Sequence, residues 1–267
     1  MQPRSSILAV LVVALLVAAA FAVTAATAAP GRHSTGKLIF CSDITYPPEE
    51  FYKGPTPVGS DIEIGTAVAK QVHRTAEFKN TGFAGIIGAL LAKKCDAIIS
   101  GMNDTPQRRK QVTFVDYLSV GQSLMVNKGN PKHITTLASL SGLSVSVEVG
   151  TTNKTFLDQE SKKLQKQGKK GIKVVAFPHD TDAAAALKTH RVNAYFGDSP
   201  VVAYYIARDK SFGFGGQPIN PIAVGIALRH KDPLIKQVQT AINTLYANGT
   251  MKKILAKWKM SAFALKK

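Results

Sequence analysis

The chain has 267 residues and is strongly basic, with 34 Lys and Arg against 17 Asp and Glu and a formal net charge of +17. Its length allows one or two domains with a sizeable core. The charge would suit an anionic ligand, a membrane surface or nucleic acid. The lysines, however, are scattered or lie in helix-like runs such as Lys162-Lys163-Leu164-Gln165-Lys166 without interleaved aromatics, and Trp258 is the only tryptophan. That pattern argues for a solvated surface and against nucleic acid.

Residues 1–28 read as a secretory leader. Arg4 gives the positive start, 7–23 is almost unbroken Leu, Val and Ala, and Ala26-Thr27-Ala28 supplies the small-residue cleavage pattern. A permanent membrane anchor is the competing reading; the borderline length and alanine-rich end favour cleavage near Ala28. No cysteine ends the apolar run, so no lipid anchor is expected, and the remaining chain should be exported and soluble. Export to an oxidising compartment permits a bridge between Cys41 and Cys95. Two buried free thiols are the alternative, and the spacing of Cys and His gives no metal pattern.

After a polar arm at 31–36, a strand is expected at 37–42, a loop with four prolines at 46–58, and a helix opened by Ser60-Asp61 as caps. A strand at 75–79, an amphipathic helix at 83–93 and a strand at 95–100 complete a β-α-β-α-β order, which implies a parallel sheet with helices on its faces. An extended run at 121–126 reads as a crossing strand. Beyond it come a short helix at 137–142, a strand at 143–147 and a lysine-rich helix opened by Gly150-Thr151-Thr152. A strand at 172–176, an alanine-rich helix capped by Asp180 or Thr181, a strand at 192–196 and a helix at 198–208 repeat the β-α-β-α-β order. Residues 212–216, with Pro218 and Pro221, read as the return crossing. A strand at 221–228 and helices at 232–245 and 250–258 end the chain.

The chemistry concentrates at 96–117. Ala97-Ile98-Ile99 reads as a buried strand that ends in Ser100-Gly101-Met102-Asn103. Thr105 and Pro106 open a short helix carrying Arg108 and Arg109. Hydroxyl, bare backbone and guanidinium thus meet at the carboxyl end of a strand, where open α/β sheets bind ligands. Arginine there can grip a planar carboxylate with two parallel hydrogen bonds, so the segment reads as a carboxylate-binding corner. Thr151 and Thr152 at a helix start could bind an anion or simply cap the helix. Asp198, at a strand end, could pair with an ammonium group or cap the next helix. Asp43 and Tyr46 could face a ligand or be a turn aspartate and a packed tyrosine. Phe83 could stack on a ligand or belong to the core. Glu49 and Glu50 would add acid near Asp43 and favour a cationic or amide ligand, although loop glutamates are more often solvated.

From about residue 37 to residue 258 the chain resembles the periplasmic solute-binding proteins for polar amino acids, family 3 of the ABC-importer binding proteins. The resemblance implies an α/β, two-lobe periplasmic-binding-protein fold of type II, each lobe a sheet flanked by helices, with ligand in the interlobe cleft. It implies a first lobe made of 37–125 and 219–260 and a second of 126–218. By position it gives the ligand α-carboxylate to Ser100, Gly101, Asn103 and Arg108, with Arg109 the rival to Arg108. It adds Thr151 and Thr152 as the other half of the clamp, Asp198 for the α-ammonium, and Asp43, Tyr46 and Phe83 for the side chain. The chain departs from the family at Asn103-Asp104, usually Thr or Ser then an aliphatic residue, and at Glu49-Glu50, where an aromatic is common.

The implied function is capture of a polar amino acid or close analogue and delivery to a membrane ABC permease, by a monomer without cofactor or metal. A separate chemoreceptor is the other partner such a fold allows; no fused domain is expected after the last helix. The competing class is an enzyme, a periplasmic cyclohexadienyl (prephenate or arogenate) dehydratase on the same fold. That chemistry needs a general acid, for which Glu148 or Glu49 could serve, though neither lies in a catalytic motif. Nor is there a Ser-His-Asp arrangement or a phosphate loop. The net charge points to acidic ligands and Asp43 to basic ones, so the ligand itself is not legible.

Overall fold

The computed structural model describes residues 36 to 265. The expected leader at 1–28 and most of the polar arm lie outside the described residues. Strand β1 (Lys37–Ser42) alternates as period two requires: Leu38 and Phe40 enter one core cluster, Ile39 and Cys41 another. The proline-rich stretch expected as a loop is a small antiparallel sheet of β2 (Thr45–Tyr46), β3 (Glu50–Lys53) and β4 (Thr56–Val58). It folds over the start of helix α1 (Ser60–Gln71). There the Ser60 and Asp61 N–H groups donate to the Pro48 and Glu49 carbonyls at 3.0 and 2.8 Å. These backbone acceptors replace the side-chain cap expected from Ser60-Asp61, and the N-cap position falls on Gly59. Glycine is required there, because φ is +136° and a Cβ would lie 2.0 Å from the Glu49 carbonyl oxygen.

Strand β5 (Thr75–Asn80) follows as expected. The helix expected at 83–93 contracts to a 3-10 turn, Phe83–Gly85, and α2 (Ile86–Leu91), and the strand expected at 95–100 to β6 (Ala97–Ile98). Helix α3 (Pro106–Arg109) has the predicted cap, with the Arg108 N–H donating to Thr105 Oγ1 at 3.2 Å. Strand β7 (Val112–Asn127) is far longer than the crossing expected at 121–126. A 3-10 turn at Leu137–Leu140 leads to β8 (Ser144–Glu148), α4 (Thr152–Lys166), β9 (Lys173–Phe177), α5 (Asp180–Lys188), β10 (Ala194–Asp198) and α6 (Ser199–Arg208). The N-cap of α5 is His179, without a side-chain cap. Asp180 accepts instead from the Tyr195 and Tyr205 hydroxyls at 2.5 and 2.9 Å, which corrects the capping expectation. The return crossing is also corrected: β11 (Phe212–Phe214) only pairs with the end of β7, and the crossing is β12 (Ile219–Arg229). Helices α7 (Leu234–Ala247) and α8 (Thr250–Lys257) close the chain.

Nine strands form one mixed sheet in the order β5-β1-β6-β12-β7-β10-β8-β9, with β11 beside β7. Strand β7 pairs with β12 along its first part and with β10 from Gln122 to Met125. The pairing with β12 is irregular between Ile219 and Ile222, where Asn220 has φ +48°. Each half of the sheet has apolar clusters on its faces. Phe40, Ile64, Val68, Ile226 and Val238 fill one cluster of the first half, and Ile86, Leu90 and Ile98 another. In the second half β10 turns Ala194 and Phe196 toward α4 and Tyr195 toward α5 and α6. Leu124 and Met125 pack in these second-half clusters. Cys41 and Cys95 form a disulfide across 54 residues with Cα atoms 5.7 Å apart. A closed loop of that length contributes about 4 kcal/mol by chain entropy.

Candidate functional site

The two halves meet where strand ends and helix starts converge. A small cavity there is lined by Asp43, Tyr46, Glu50, Phe83, Gly101 and Asn103 from the first half and by Glu148, Thr151, Asn153 and Asp198 from the second. Its volume is about 10 Å³, room for one water molecule and far less than an amino acid. Ligand entry therefore requires the walls to part. Tyr46, although carried by the small sheet beside β1, packs in the second-half cluster with Ala183, Tyr195 and Val201. Its hydroxyl accepts the Asp198 N–H at 3.3 Å.

The end of β6 and helix α3 lie beside this cavity, with Gly101 and Asn103 in its lining. Arg108 is buried at the cleft, its Nη1 donating to the Asn103 carbonyl at 2.8 Å and its Nη2 across the cleft to the Gly150 carbonyl at 3.2 Å. Its guanidinium lies over the Phe83 ring, 5.2 Å from the centroid. Burial lowers its pKa to about 10, with Asp198 and Tyr46 working the other way, so it stays charged at neutral pH. Arg109 points elsewhere. It is exposed and holds Asp104 through both carboxylate oxygens, with Asp116 3.8 Å away. This pair also engages the Asp104 charge that departs from the family pattern.

Asn103 also bridges the halves. Its Oδ1 accepts from Thr152 Oγ1 at 2.6 Å and its Nδ2 reaches Asp198 at 3.5 Å, both from one half to the other. Ser100 and Gly101 depart from expectation. The Ser100 hydroxyl donates to Glu50 at 2.8 Å and accepts the Asp43 N–H at 2.9 Å, and Ser100 does not line the cavity. The Gly101 N–H donates to Asp61 at 2.8 Å, so it faces inward rather than toward a ligand. Thr151 follows the capping reading, taking the Lys154 N–H at 3.1 Å and donating to the Glu148 carbonyl at 2.8 Å.

Asp198 occupies the N-cap position of α6 but makes no side-chain cap. Its carboxylate accepts from Asn153 at 3.1 Å and Asn103 at 3.5 Å. Burial raises its pKa to about 6 against the pull of Asn153, Tyr46, Asn103 and Arg108. Asp43 accepts from Thr45 Oγ1 and from the Phe83 N–H, both at 2.7 Å, which ties the turn to the start of the aromatic wall. Phe83 is half-buried at the cavity rather than sealed in the core.

Asn153 went unread in the sequence, and Glu49, Glu50 and Glu148 were named there only as alternatives. The solvated reading of Glu49 and Glu50 is corrected: both are buried, because the small sheet folds them under α1. Burial, with Asp61 next, pushes both carboxyls well above their ordinary range. Glu148 ends β8 inside the cavity, and its position at the end of an alternating strand just before Gly150 was the available signal. Asn153 lies in the first turn of α4 and has the Gln122 amide behind it at 2.6 Å. No sequence pattern marks that contact.

Two α/β halves joined by long strands, with charged groups from both walls facing a closing cleft, define a ligand-capturing binding protein. The chain belongs to the bacterial extracellular solute-binding proteins, family 3, whose sequence model matches residues 38–261. It is 30% identical over 251 residues to the arginine-binding extracellular protein ArtP of Bacillus subtilis (strain 168), covering 91% of this chain and 96% of that one. It is 28% identical over 235 residues to the ABC transporter arginine-binding protein 1 of Escherichia coli (strain K12), covering 85% and 93%. Among solved structures, an ancestral arginine-binding protein bound to arginine superposes with a TM-score of 0.78 at 33% identity, covering 84% of this chain and 98% of that one. Among the described residues no helix is long and apolar enough to cross a membrane.

Proposed function

We propose that this protein captures a basic amino acid, arginine foremost, outside the cytoplasm and delivers it to the membrane permease of an ABC importer. The observation that carries this reading is the charge balance of the cavity. Four acidic side chains, Asp43, Glu50, Glu148 and Asp198, line it, and the Arg108 guanidinium lies beside it over the Phe83 ring. The zwitterionic head of an amino acid uses one charge of each sign, Arg108 for its carboxylate and Asp198 for its ammonium. The remaining acids favour a second positive charge on the ligand, since buried charges need partners. The named ligand of both relatives supports the same choice.

In this reading the Asn103 amide and the Thr152 hydroxyl complete the carboxylate clamp, Phe83 and Tyr46 flank the aliphatic stem, and Asp43 and Glu148 face the distal cation. The lobes are joined at β7 and β12, and closure excludes water and strengthens each charged contact. Membership of an extracellular solute-binding family supports export, with the leader cut near Ala28. The role is binding without chemistry. The family description and the names of both relatives, which are those of binding proteins, support this over dehydratase chemistry.

A thermal-shift screen of the purified protein against the amino acids tests the proposal, because a ligand selective for the native state raises its melting temperature. Arginine, lysine or histidine should give the largest shift. A larger shift from glutamate or aspartate would refute it, and turnover of prephenate would replace it with the enzyme.

A further inference from the structure

Two acids that line the cavity keep a buried oxygen without a partner, Glu50 and Glu148, but Glu50 is held at its other oxygen by the Ser100 hydroxyl. Glu148 is 4% exposed, it lines the cavity, and its Oε1 has no hydrogen-bond partner. Asp43 faces it from the other wall, already held by Thr45 and by the Phe83 N–H. The other groups near the pair are Glu50, Asp180 and Asp198, the Tyr46 and Tyr205 hydroxyls, and His179, 3.9 Å from Asp43. Arg108 is engaged two residues beyond Glu148, at Gly150. Where two carboxyls share one buried site, one of them is held toward its protonated form unless a cation lies between them.

Resting on the basic-amino-acid reading, we infer that Glu148 carries a proton in the closed cleft and exchanges it for the positive charge of the ligand. The exchange is balanced: protonated Glu148 and a cationic ligand give ionised Glu148 paired with that cation, plus one proton released to solvent. Burial, then Asp180 and Asp43, hold the Glu148 carboxyl in its neutral form well above the ordinary carboxylate range, consistent with this assignment. Glu148 thereby becomes the residue that sets selectivity between charged and neutral ligands. A neutral isostere of arginine such as citrulline can sit against the protonated acid, whereas arginine requires the ionised one. Below the titration midpoint of Glu148, the preference for arginine over citrulline falls by up to about tenfold per pH unit, the dependence expected of one linked proton.

Calorimetric titration at pH 7 in buffers of different ionisation heat counts the protons. Arginine should release close to one from the unaltered protein and citrulline close to none. Glu148→Gln should bind arginine with close to none released and with a narrowed, pH-independent preference over citrulline. Arginine binding without proton release, or release unchanged in Glu148→Gln, would overturn the exchange while leaving the basic-ligand reading intact. Failure of arginine, lysine and histidine to bind at all would overturn both. Carbon-13 NMR of the Glu148 carboxyl in ligand-free protein tests the retained proton independently. A raised midpoint that falls in Asp43→Asn supports it, and an ordinary midpoint overturns it.

Discussion

Arg108 and Arg109 are neighbours on one short helix with opposite surroundings. Arg108 is buried between Asn103, Gly150 and the face of Phe83; Arg109 is in solvent, paired with Asp104. Removing a bidentate, charge-assisted grip loses about 3 kcal/mol or more. Arg108→Ala should therefore weaken amino-acid binding by at least about 100-fold in a calorimetric titration, whereas Arg109→Ala should stay within about threefold, as exposed ion pairs contribute little. The sequence alone pointed to this corner, because strand, small residues, capped turn and arginine are contiguous. It left the choice of arginine open, because that choice depends on where β7 and Gly150 lie in space. The burial of Glu49 and Glu50 was hidden for the same reason. Nothing local distinguishes a solvated loop glutamate from one folded beneath α1.

Elements with strong periodicity were legible, and elements defined by distant pairing were not. Strands β1 and β5 and helices α1, α4 and α7 fell close to their predicted places. The small sheet β2-β3-β4 and the full length of β7 depend on partners far along the chain, so local pattern understated both. One glycine connects an element to closure. Gly150, before α4, has φ +81°, and a Cβ there would approach the Ala84 Cα on the opposite wall to 2.8 Å. Gly150→Ala should prop the cleft open. Ligand affinity should fall by roughly tenfold or more, while the strained φ itself costs about 1 kcal/mol of stability. Titration and thermal unfolding of the same variant separate the two effects; unaltered affinity would show that the walls do not need this approach.

Across the whole molecule the buried acids link stability to pH. The pKa of Asp198 is raised to about 6 and that of Asp180 to about 7, in both cases chiefly by burial. The ligand-free fold therefore keeps protons that the unfolded chain has lost. Their contribution to stability is present at low pH and is lost as pH rises through about 6 to 7. Of the two, Asp198 lines the cavity, and a cationic ligand there compensates for its ionised form, so the melting-temperature shift produced by arginine should grow from pH 5 to pH 8. A shift that is constant or shrinks over that range would mean that the ligand does not meet Asp198.

The central claim is that the cleft selects positive charge. It is tested most directly by titrating the purified protein at pH 8 with arginine and with citrulline, which differ chiefly in that charge. The account predicts that arginine binds at least about 100-fold more tightly. Equal affinities, or tighter binding of citrulline, would contradict it.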